Sequence, residues 1–158
     1  MSDTTPRTAA VEAAEALGLA HEVRVIERAR SVEEAADRLG VPVEHLYKTL
    51  VVRRGQDDHL LVLVPGPSQL DWAKLRAHLG VSRLSLPDAD EAREATGYER
   101  GTITPLGTRQ PLPVIVDAAA TGAERIAIGG GAHGVSLLLS PTELVAAVAA
   151  EVVDVTRN

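Results

Sequence analysis

The sequence contains neither cysteine nor phenylalanine, and Trp72, Tyr47 and Tyr98 are its only tryptophan and tyrosine residues. The absence of cysteine excludes disulfides, thiolate nucleophiles and cysteine-bound metal ions. The scarcity of aromatic side chains argues against a nucleic-acid surface that stacks successive bases. It also requires that the core be built from valine, leucine, isoleucine and alanine.

An excess of positive charge is also missing, because 16 Lys and Arg residues face 22 Asp and Glu residues, for a net charge of −6. Proteins that bind long stretches of phosphate backbone are usually basic. The charge therefore argues against DNA as a partner and against a large RNA footprint. It still allows a small pocket that receives only the end of a nucleic acid.

No apolar run approaches the length of a membrane span, and residues 1–7 are polar and lack the apolar part of a signal peptide. We therefore expect a cytoplasmic protein without a membrane partner. The chain has 158 residues, of which 45% are apolar and 24% are charged. These values are ordinary for a globular protein and predict one domain over residues 1–158, with its core at about 5–155.

Apolar periodicity, capping residues and glycine or proline breaks predict the secondary structure. Helices are expected over residues 8–19, 31–39, 71–79, 88–96 and 140–150. Strands are expected over residues 21–26, 49–52, 59–64, 113–116, 125–128, 135–139 and 152–155. Because the strands come partly in pairs and partly separated by helices, the pattern favours an α+β fold with a mixed sheet.

Lys48 is the first candidate for chemistry. It stands at the start of a strand whose following residues are apolar on both faces. This pattern predicts a central, buried strand with the ammonium group pointing into or across a cleft. There it could bind an anion, orient a carbonyl or act as a base. The alternative is an ammonium group that simply reaches water from the strand end.

Residues 129–134 match the pattern G-x-G-x-x-G, but the strand-like run 135–139 follows where a dinucleotide site needs a helix. We therefore reject NAD binding. The segment is either a turn between strands or a place where bare backbone approaches a ligand. His133, at the tip of this turn, would contact substrate or be solvated.

A second glycine loop has the spacing G-x-x-x-P from Gly101 to Pro105. Glycine permits a positive φ or the close approach of a ligand, and proline stiffens the loop. Such a loop can present backbone amides to a carbonyl oxygen, as an oxyanion hole does. It can equally be a structural turn.

Conventional hydrolase and metal centres are missing from the sequence. None of the five histidines stands at metal-ligand spacing from another, so neither a metal ion nor another cofactor is expected. Ser68 lacks the G-x-S-x-G setting of a hydrolase nucleophile. From these patterns alone, the chain is an α+β domain with a possible ligand cleft.

Five segments in a fixed order resemble the YbaK/ProX family of aminoacyl-tRNA editing deacylases. They are residues 46–52 with the sequence LYKTLVV, 69–75, 95–107, 112–117 and 129–134. Their span covers essentially the whole chain. The set is more similar to the branch that deacylates Cys-tRNA(Pro) than to the branches that act on Ala-tRNA(Pro).

The resemblance implies a mixed, partly barrel-like sheet flanked by helices, the same domain that is inserted in some bacterial prolyl-tRNA synthetases. It implies a trans-acting deacylase that cleaves the ester of a mischarged tRNA, with Cys-tRNA(Pro) or another small aminoacyl-tRNA as substrate. The implied partners are the aminoacylated 3′ end of tRNA and prolyl-tRNA synthetase. In the family's Cys-tRNA enzymes, the thiol of the cysteinyl group attacks the carbonyl of the same group, which leaves the tRNA as a cyclic thiolactone. Attack by water is the alternative.

Matched residue by residue, the resemblance implies a catalytic role for Lys48, which would anchor the adenosine end or the ester. It implies substrate binding by the two glycine loops, through Gly101, Thr102, Pro105, Gly129, Gly130, Gly131 and His133.

Three positions depart from the family pattern and bear on which amino acid is removed. Some members carry Tyr where this chain has Ile26 and Asp where it has Ser136, and His133 stands where a basic residue is frequent. Two alternatives to the editing enzyme remain open. One is a non-catalytic module that binds tRNA ends or a synthetase, and the other is a small-molecule hydrolase that uses the same cleft.

Overall fold

The structure, a computed structural model, describes residues 5–157 and contains five α-helices and seven β-strands within them. The helices are α1 (Ala9–Ala16), α2 (Val32–Leu39), α3 (Trp72–Leu79), α4 (Ala89–Thr96) and α5 (Pro141–Val148). The strands are β1 (His21–Val25), β2 (Tyr47–Gly55), β3 (Asp58–Pro65), β4 (Val114–Asp117), β5 (Ile126–Gly129), β6 (Val135–Leu139) and β7 (Glu151–Val153). Short 3₁₀ helices span Val43–His45 and Ala118–Gly122.

Side-chain caps explain where several of these helices begin. The hydroxyl of Ser31 accepts a hydrogen bond from the Glu34 amide at the start of α2. Ser140 accepts one from the Glu143 amide in the same way at the start of α5. Both pairs have the serine–x–x–glutamate spacing that predicted these helices from the sequence.

The strands form two sheets. One is antiparallel with the order β1-β6-β5, and the other is mixed with the order β2-β3-β4-β7. In the mixed sheet, β2 and β3 form a hairpin, while β4 runs parallel to both β3 and β7. A parallel bridge between Leu46 and Ala127 joins the two sheets along one side. Among the described strands no further ladder closes them into a barrel, and the predicted α+β fold with a mixed, partly barrel-like sheet is confirmed.

Separate apolar clusters cover the two faces of the mixed sheet. Leu61 and Leu63 of β3 pack into the larger cluster, which includes residues of α1 and α5. Leu60 and Val62 pack on the opposite face against α3. The alternation of side chains along a strand explains why β3 is apolar throughout, since both of its faces are covered.

The expectation that Lys48 begins a central strand is wrong, because β2 lies at the edge of its sheet. Apolar residues on both faces of β2 show that each face of the sheet is covered. They do not report whether the strand has hydrogen-bonded neighbours on both edges. Within residues 5–157, no helix combines the length and apolar character needed to cross a membrane.

Candidate functional site

The two sheets diverge beyond the bridge between Leu46 and Ala127, and a cleft of about 850 Å³ lies at this point. Two residues after the bridge on each strand, Lys48 of β2 and Gly129 of β5 line the cleft. Because the parallel pairing does not continue past Leu46, the beginning of β2, at residues 47–49, borders the cleft instead of another strand. The cleft therefore forms because the two sheets stop pairing at this point.

The wall of the cleft is mostly apolar, with a few polar groups. The apolar side chains are Ile26, Ala29, Val32, Ala35, Leu46, Ile103, Ile128, Ala132 and Val135. The polar side chains are Glu27, Arg28, Tyr47, Lys48, Thr49, His133 and Ser136. A mainly apolar concavity with a small number of polar groups is the usual composition of a binding site for a small molecule or for the end of a larger one.

Lys48 carries a positive charge to this cleft. Its side chain is exposed, and Nζ donates a hydrogen bond to the carbonyl oxygen of Gly66 at 3.3 Å. The amide of Gly66 in turn donates to the carbonyl of Leu46 at 2.6 Å, which ties the loop after β3 to the beginning of β2. An ammonium group has three protons to donate, so two remain for a bound group.

The two glycine loops pack against each other, backbone to backbone. A Cβ atom on Gly129 would lie 2.8 Å from the carbonyl oxygen of Ile103 and 3.4 Å from that of Thr102. Only glycine fits this approach without a shift of one of the two loops. The close contact explains how a turn at 129–134 and a loop some thirty residues earlier come to share one site.

His133 and Gly101 are neighbours on the same wall. A Cβ atom on Gly101, whose φ is +89°, would lie 3.6 Å from Cε1 of the His133 ring. The ring itself is exposed, and its Nε2 atom lies 3.5 Å from the carboxylate of Glu99. The structure thus brings Lys48, Gly101, Gly129 and His133 to one cleft. Their roles toward a substrate stay predictions.

Thr102 and Pro105 are not on the wall of the cleft. Both are buried, and the Thr102 hydroxyl donates to the carbonyl of Glu99 at 2.7 Å. The Thr102 amide also donates to this carbonyl, at 3.0 Å. These bonds shape the second glycine loop from behind the wall.

Gly130 and Gly131 also lie off the wall, on the side of the turn that faces α1. The carbonyl of Gly130 accepts a hydrogen bond of 2.6 Å from the hydroxyl of Thr8, just before α1. A Cβ atom on Gly131 would lie 3.0 Å from the ring of Tyr98 and 3.3 Å from Thr8. The contacts of these two glycines fasten the turn to the rest of the fold, and their predicted contact with substrate stays a prediction.

Sequence reasoning missed the part of the cleft that comes from residues 26–35 and from Gly66. The connection between β1 and α2 reaches the cleft because the Ile26 amide donates to the carbonyl of Gly134 at 2.8 Å. No local sequence pattern predicts a hydrogen bond between residues so far apart in the chain. The three departures from the family pattern could have indicated part of this wall, because Ile26, His133 and Ser136 all line the cleft.

In the described part of the chain, no group of three or more His, Cys, Asp or Glu side chains is arranged to hold a metal ion. The groups that the cleft wall presents are charged side chains, hydroxyl groups and backbone.

Both tyrosines of the chain lie at or near the site. Tyr47 lines the cleft, and Tyr98 donates a hydrogen bond from its hydroxyl to the carbonyl of Leu106 at 2.5 Å. Burial raises the pKa of Tyr98 to about 12. Burial, with a smaller contribution from the Asp117 carboxylate, raises the pKa of Tyr47 to about 12.

A spectrophotometric titration of the folded protein should therefore give phenolate formation centred near pH 12, while the unfolded chain titrates near the ordinary tyrosine pKa of 10.0. Since the folded pKa is the higher one, the two tyrosines contribute stability that is complete below about pH 10 and is lost as pH rises to about 12. A folded-state midpoint near that of the unfolded chain would contradict the burial of both rings.

The fold and the cleft define a small α+β domain with a cleft where its two sheets separate. Residues 26–147 match the family model of the aminoacyl-tRNA editing domain. The chain belongs to the aminoacyl-tRNA editing domain family, and the resemblance to YbaK-type proteins drawn from the sequence is confirmed.

Relatives of two kinds match the chain. A candidate Cys-tRNA(Pro)/Cys-tRNA(Cys) deacylase named EbsC, from Enterococcus faecalis, is 25% identical over 128 residues, which are 81% of this chain and 78% of that protein. Proline–tRNA ligase from Thermosipho africanus is 33% identical over 101 residues, which are 64% of this chain. This match spans only 18% of the ligase.

A solved structure extends the likeness over nearly the entire chain. The crystal structure of a candidate trans-editing enzyme for prolyl-tRNA synthetase superposes with a TM-score of 0.86 at 29% identity. The superposition covers 97% of this chain and 99% of the other.

Proposed function

We propose that this protein is a trans-acting aminoacyl-tRNA deacylase that removes a small amino acid from mischarged tRNA, with Cys-tRNA(Pro) as its substrate. The observation that carries the proposal is the convergence of Lys48, Gly101, Gly129 and His133 on one cleft of an editing-domain fold. The names of two relatives, the candidate deacylase EbsC and the candidate trans-editing enzyme for prolyl-tRNA synthetase, support it.

The size and charge of the cleft suit the acylated end of a tRNA. A volume of about 850 Å³ lies within the range that accommodates a ligand of the size of an aminoacyl adenosine. Lys48 and Arg28 bring positive charge to the cleft for the adjoining phosphates and outnumber the single carboxylate of Glu27, although the whole chain has a net charge of −6. Only the end of the RNA then needs to be held, which reconciles an RNA substrate with an acidic protein.

The protein does not offer a conventional nucleophile in this cleft. Among residues 5–157, no hydrogen bond joins the His133 ring to the hydroxyl of Thr49 or Ser136, so the structure shows no nucleophile–base pair there. The attacking group then comes from the substrate or from water. For a cysteinyl ester, the substrate thiol loses its proton and its sulfur forms a bond to the ester carbonyl carbon. The ester C–O bond then breaks, the ribose oxygen takes up the proton that the thiol lost, and the amino acid leaves as a thiolactone.

Lys48 and the backbone near the glycines are left to bind and polarise the ester. The amides of Thr102 and Gly130 already donate within the protein, to Glu99 at 3.0 Å and Val135 at 2.9 Å. These two amides are therefore not free to bind an oxyanion. The positive charge of Lys48 is placed to stabilise the negative charge that develops on the carbonyl oxygen.

A panel of tRNAs charged with radiolabelled amino acids tests the proposal. It should contain Cys-, Ala- and Ser-tRNA(Pro), with correctly charged Pro-tRNA(Pro) and Cys-tRNA(Cys) for comparison. We expect release of cysteine from Cys-tRNA(Pro) well above the spontaneous rate, and no release from Pro-tRNA(Pro). Mass spectrometry of the released product distinguishes a thiolactone from free cysteine.

Two outcomes would contradict the proposal. Binding of tRNA without release of any amino acid would instead support a non-catalytic module. Cleavage of simple amino-acid esters at the same rate as aminoacyl-tRNA would support a small-molecule hydrolase. We also propose prolyl-tRNA synthetase as a partner, on the strength of the relatives' names, and co-elution with the synthetase in the presence of tRNA tests this part.

A further inference from the structure

Two threonine hydroxyls, those of Thr49 and Thr104, are buried without a hydrogen-bond partner among residues 5–157. Buried hydroxyls are normally paired, because removal from water without a compensating bond is unfavourable. An unpaired hydroxyl in the free protein is therefore a candidate for a bond that forms only when something binds.

The two hydroxyls differ in where they lie. Thr49 is one of the residues that line the cleft, while its hydroxyl oxygen itself is shielded from solvent. Thr104 is fully buried in the second glycine loop and does not line the cleft. Thr49 thus has a route to a bound molecule that Thr104 lacks, and Thr104 provides a matched control.

The position of Thr49 on its strand separates it from the charge of Lys48. Successive side chains of a strand point to opposite faces, so the side chains of Thr49 and Lys48 lie on different sides of β2, although both residues line the cleft. Lys48 is exposed, whereas Thr49 is partly buried. In a substrate that enters past the ammonium group, the part that is inserted more deeply lies next to Thr49.

We infer that the Thr49 hydroxyl binds the aminoacyl group of the substrate, an inference that rests on the function proposed above. The amino acid is the terminal group of a charged tRNA and so is the part that enters furthest. A rotation about the Cα–Cβ bond moves the hydroxyl to another position on Cβ, where it can face the cleft. From there it can accept a hydrogen bond from the α-ammonium group or donate one to the carbonyl oxygen.

Replacement of Thr49 by valine removes the hydroxyl and keeps the shape of the side chain. We expect Thr49→Val to be at least as stable as the wild-type protein, because no intramolecular bond is lost. We expect its kcat/KM for Cys-tRNA(Pro) to fall by about tenfold, the usual effect of one lost hydrogen bond to a substrate. Thr49→Ser restores the hydroxyl and should recover most of the activity.

The control is Thr104→Val, which should match Thr49→Val in stability and keep the wild-type kcat/KM. A second readout is calorimetric binding of 3′-deoxy-3′-(L-alanylamino)adenosine, a stable amide analogue of an acylated tRNA end. This analogue should bind Thr49→Val about tenfold more weakly than wild type. Binding of the corresponding propionylamino compound tells whether the α-ammonium group is the bonded atom.

The results separate a failure of this inference from a failure of the proposed function. If wild type is active and Thr49→Val matches it in rate and in analogue binding, the inference is overturned and the function stands. If wild type releases no amino acid from any tRNA, the proposed function is wrong. The inference is then tested only by comparing the binding of the analogue to wild type and to Thr49→Val. A loss of stability in Thr49→Val with unchanged analogue binding would show that the hydroxyl serves the fold, and would overturn the inference.

Discussion

Replacement of Lys48 by alanine is expected to reduce deacylation by about a hundredfold or more while the protein stays folded. The side chain is exposed and makes one long hydrogen bond, to the carbonyl of Gly66 at 3.3 Å, so its removal costs little stability. Its charge lies on the cleft wall, and the proposed mechanism places there the ester carbonyl that becomes negative during cleavage. Single-turnover rates on Cys-tRNA(Pro), together with thermal denaturation, measure both parts of this prediction.

Lys74 provides the matched control, because it is the only other lysine in the chain. Its Nζ atom lies 3.0 Å from the carboxylate of Asp154 and 2.9 Å from the carbonyl of Thr156, and it does not line the cleft. We expect Lys74→Ala to lower stability by about 1 kcal/mol or less and to leave the deacylation rate unchanged. Equal rates for Lys48→Ala and the parent protein would remove Lys48 from the mechanism.

A second large effect is expected at the contact between the two glycine loops. In Gly129→Ala the new methyl group would lie 2.8 Å from the carbonyl oxygen of Ile103, which belongs to the backbone and cannot turn away. One loop must then move, and we expect a loss of about 2 kcal/mol of stability from the overpacked contact. A displacement of the site by about 1 Å can cost about a hundredfold in rate, so activity should fall more steeply than stability.

The control for this substitution is Gly122→Ala, at the end of the 3₁₀ helix Ala118–Gly122. A Cβ atom on Gly122 meets no atom within 4 Å, so the substitution should be neutral in both stability and rate. Thermal melts and deacylation rates of the two variants give the comparison. Similar behaviour of Gly129→Ala and Gly122→Ala would show that the loops do not depend on their close contact.

The choice of amino acid is expected to depend on the three positions that depart from the family pattern. Ile26, His133 and Ser136 come from different segments of the chain, yet all three line the cleft. Differences at these positions change the volume, charge and hydrogen-bonding capacity of the wall together. The tRNA panel therefore bears on specificity as well as on the existence of the activity.

The elements of the fold were predictable because their signals are local. Helix α5 begins where Ser140 and Glu143 predicted it, since a cap needs only residues three apart. The hairpin of β2 and β3 likewise follows from two apolar runs with a polar connection between them. Lys48 could be singled out for a similar reason, because a charge at the start of an apolar strand is visible in the sequence.

The neighbours of Lys48 could not be predicted in this way. Whether β2 is a central or an edge strand depends on the divergence of two sheets after the Leu46–Ala127 bridge. Which glycines reach the cleft depends on how the turn packs on α1, as the bond from Thr8 to Gly130 shows. These are contacts between residues far apart in the chain, and periodicity carries no information about them.

The sequence by itself determined the α+β class, the positions of the helices and strands, and the lysine and two glycine loops as candidates. Tertiary structure alone decided that Lys48, Gly101, Gly129 and His133 share a cleft and that the other four candidates stand behind it. The physical reason is that caps and strand periodicity act over a few residues. A cleft forms only where distant strands stop pairing, and the packing of the whole domain decides where that happens.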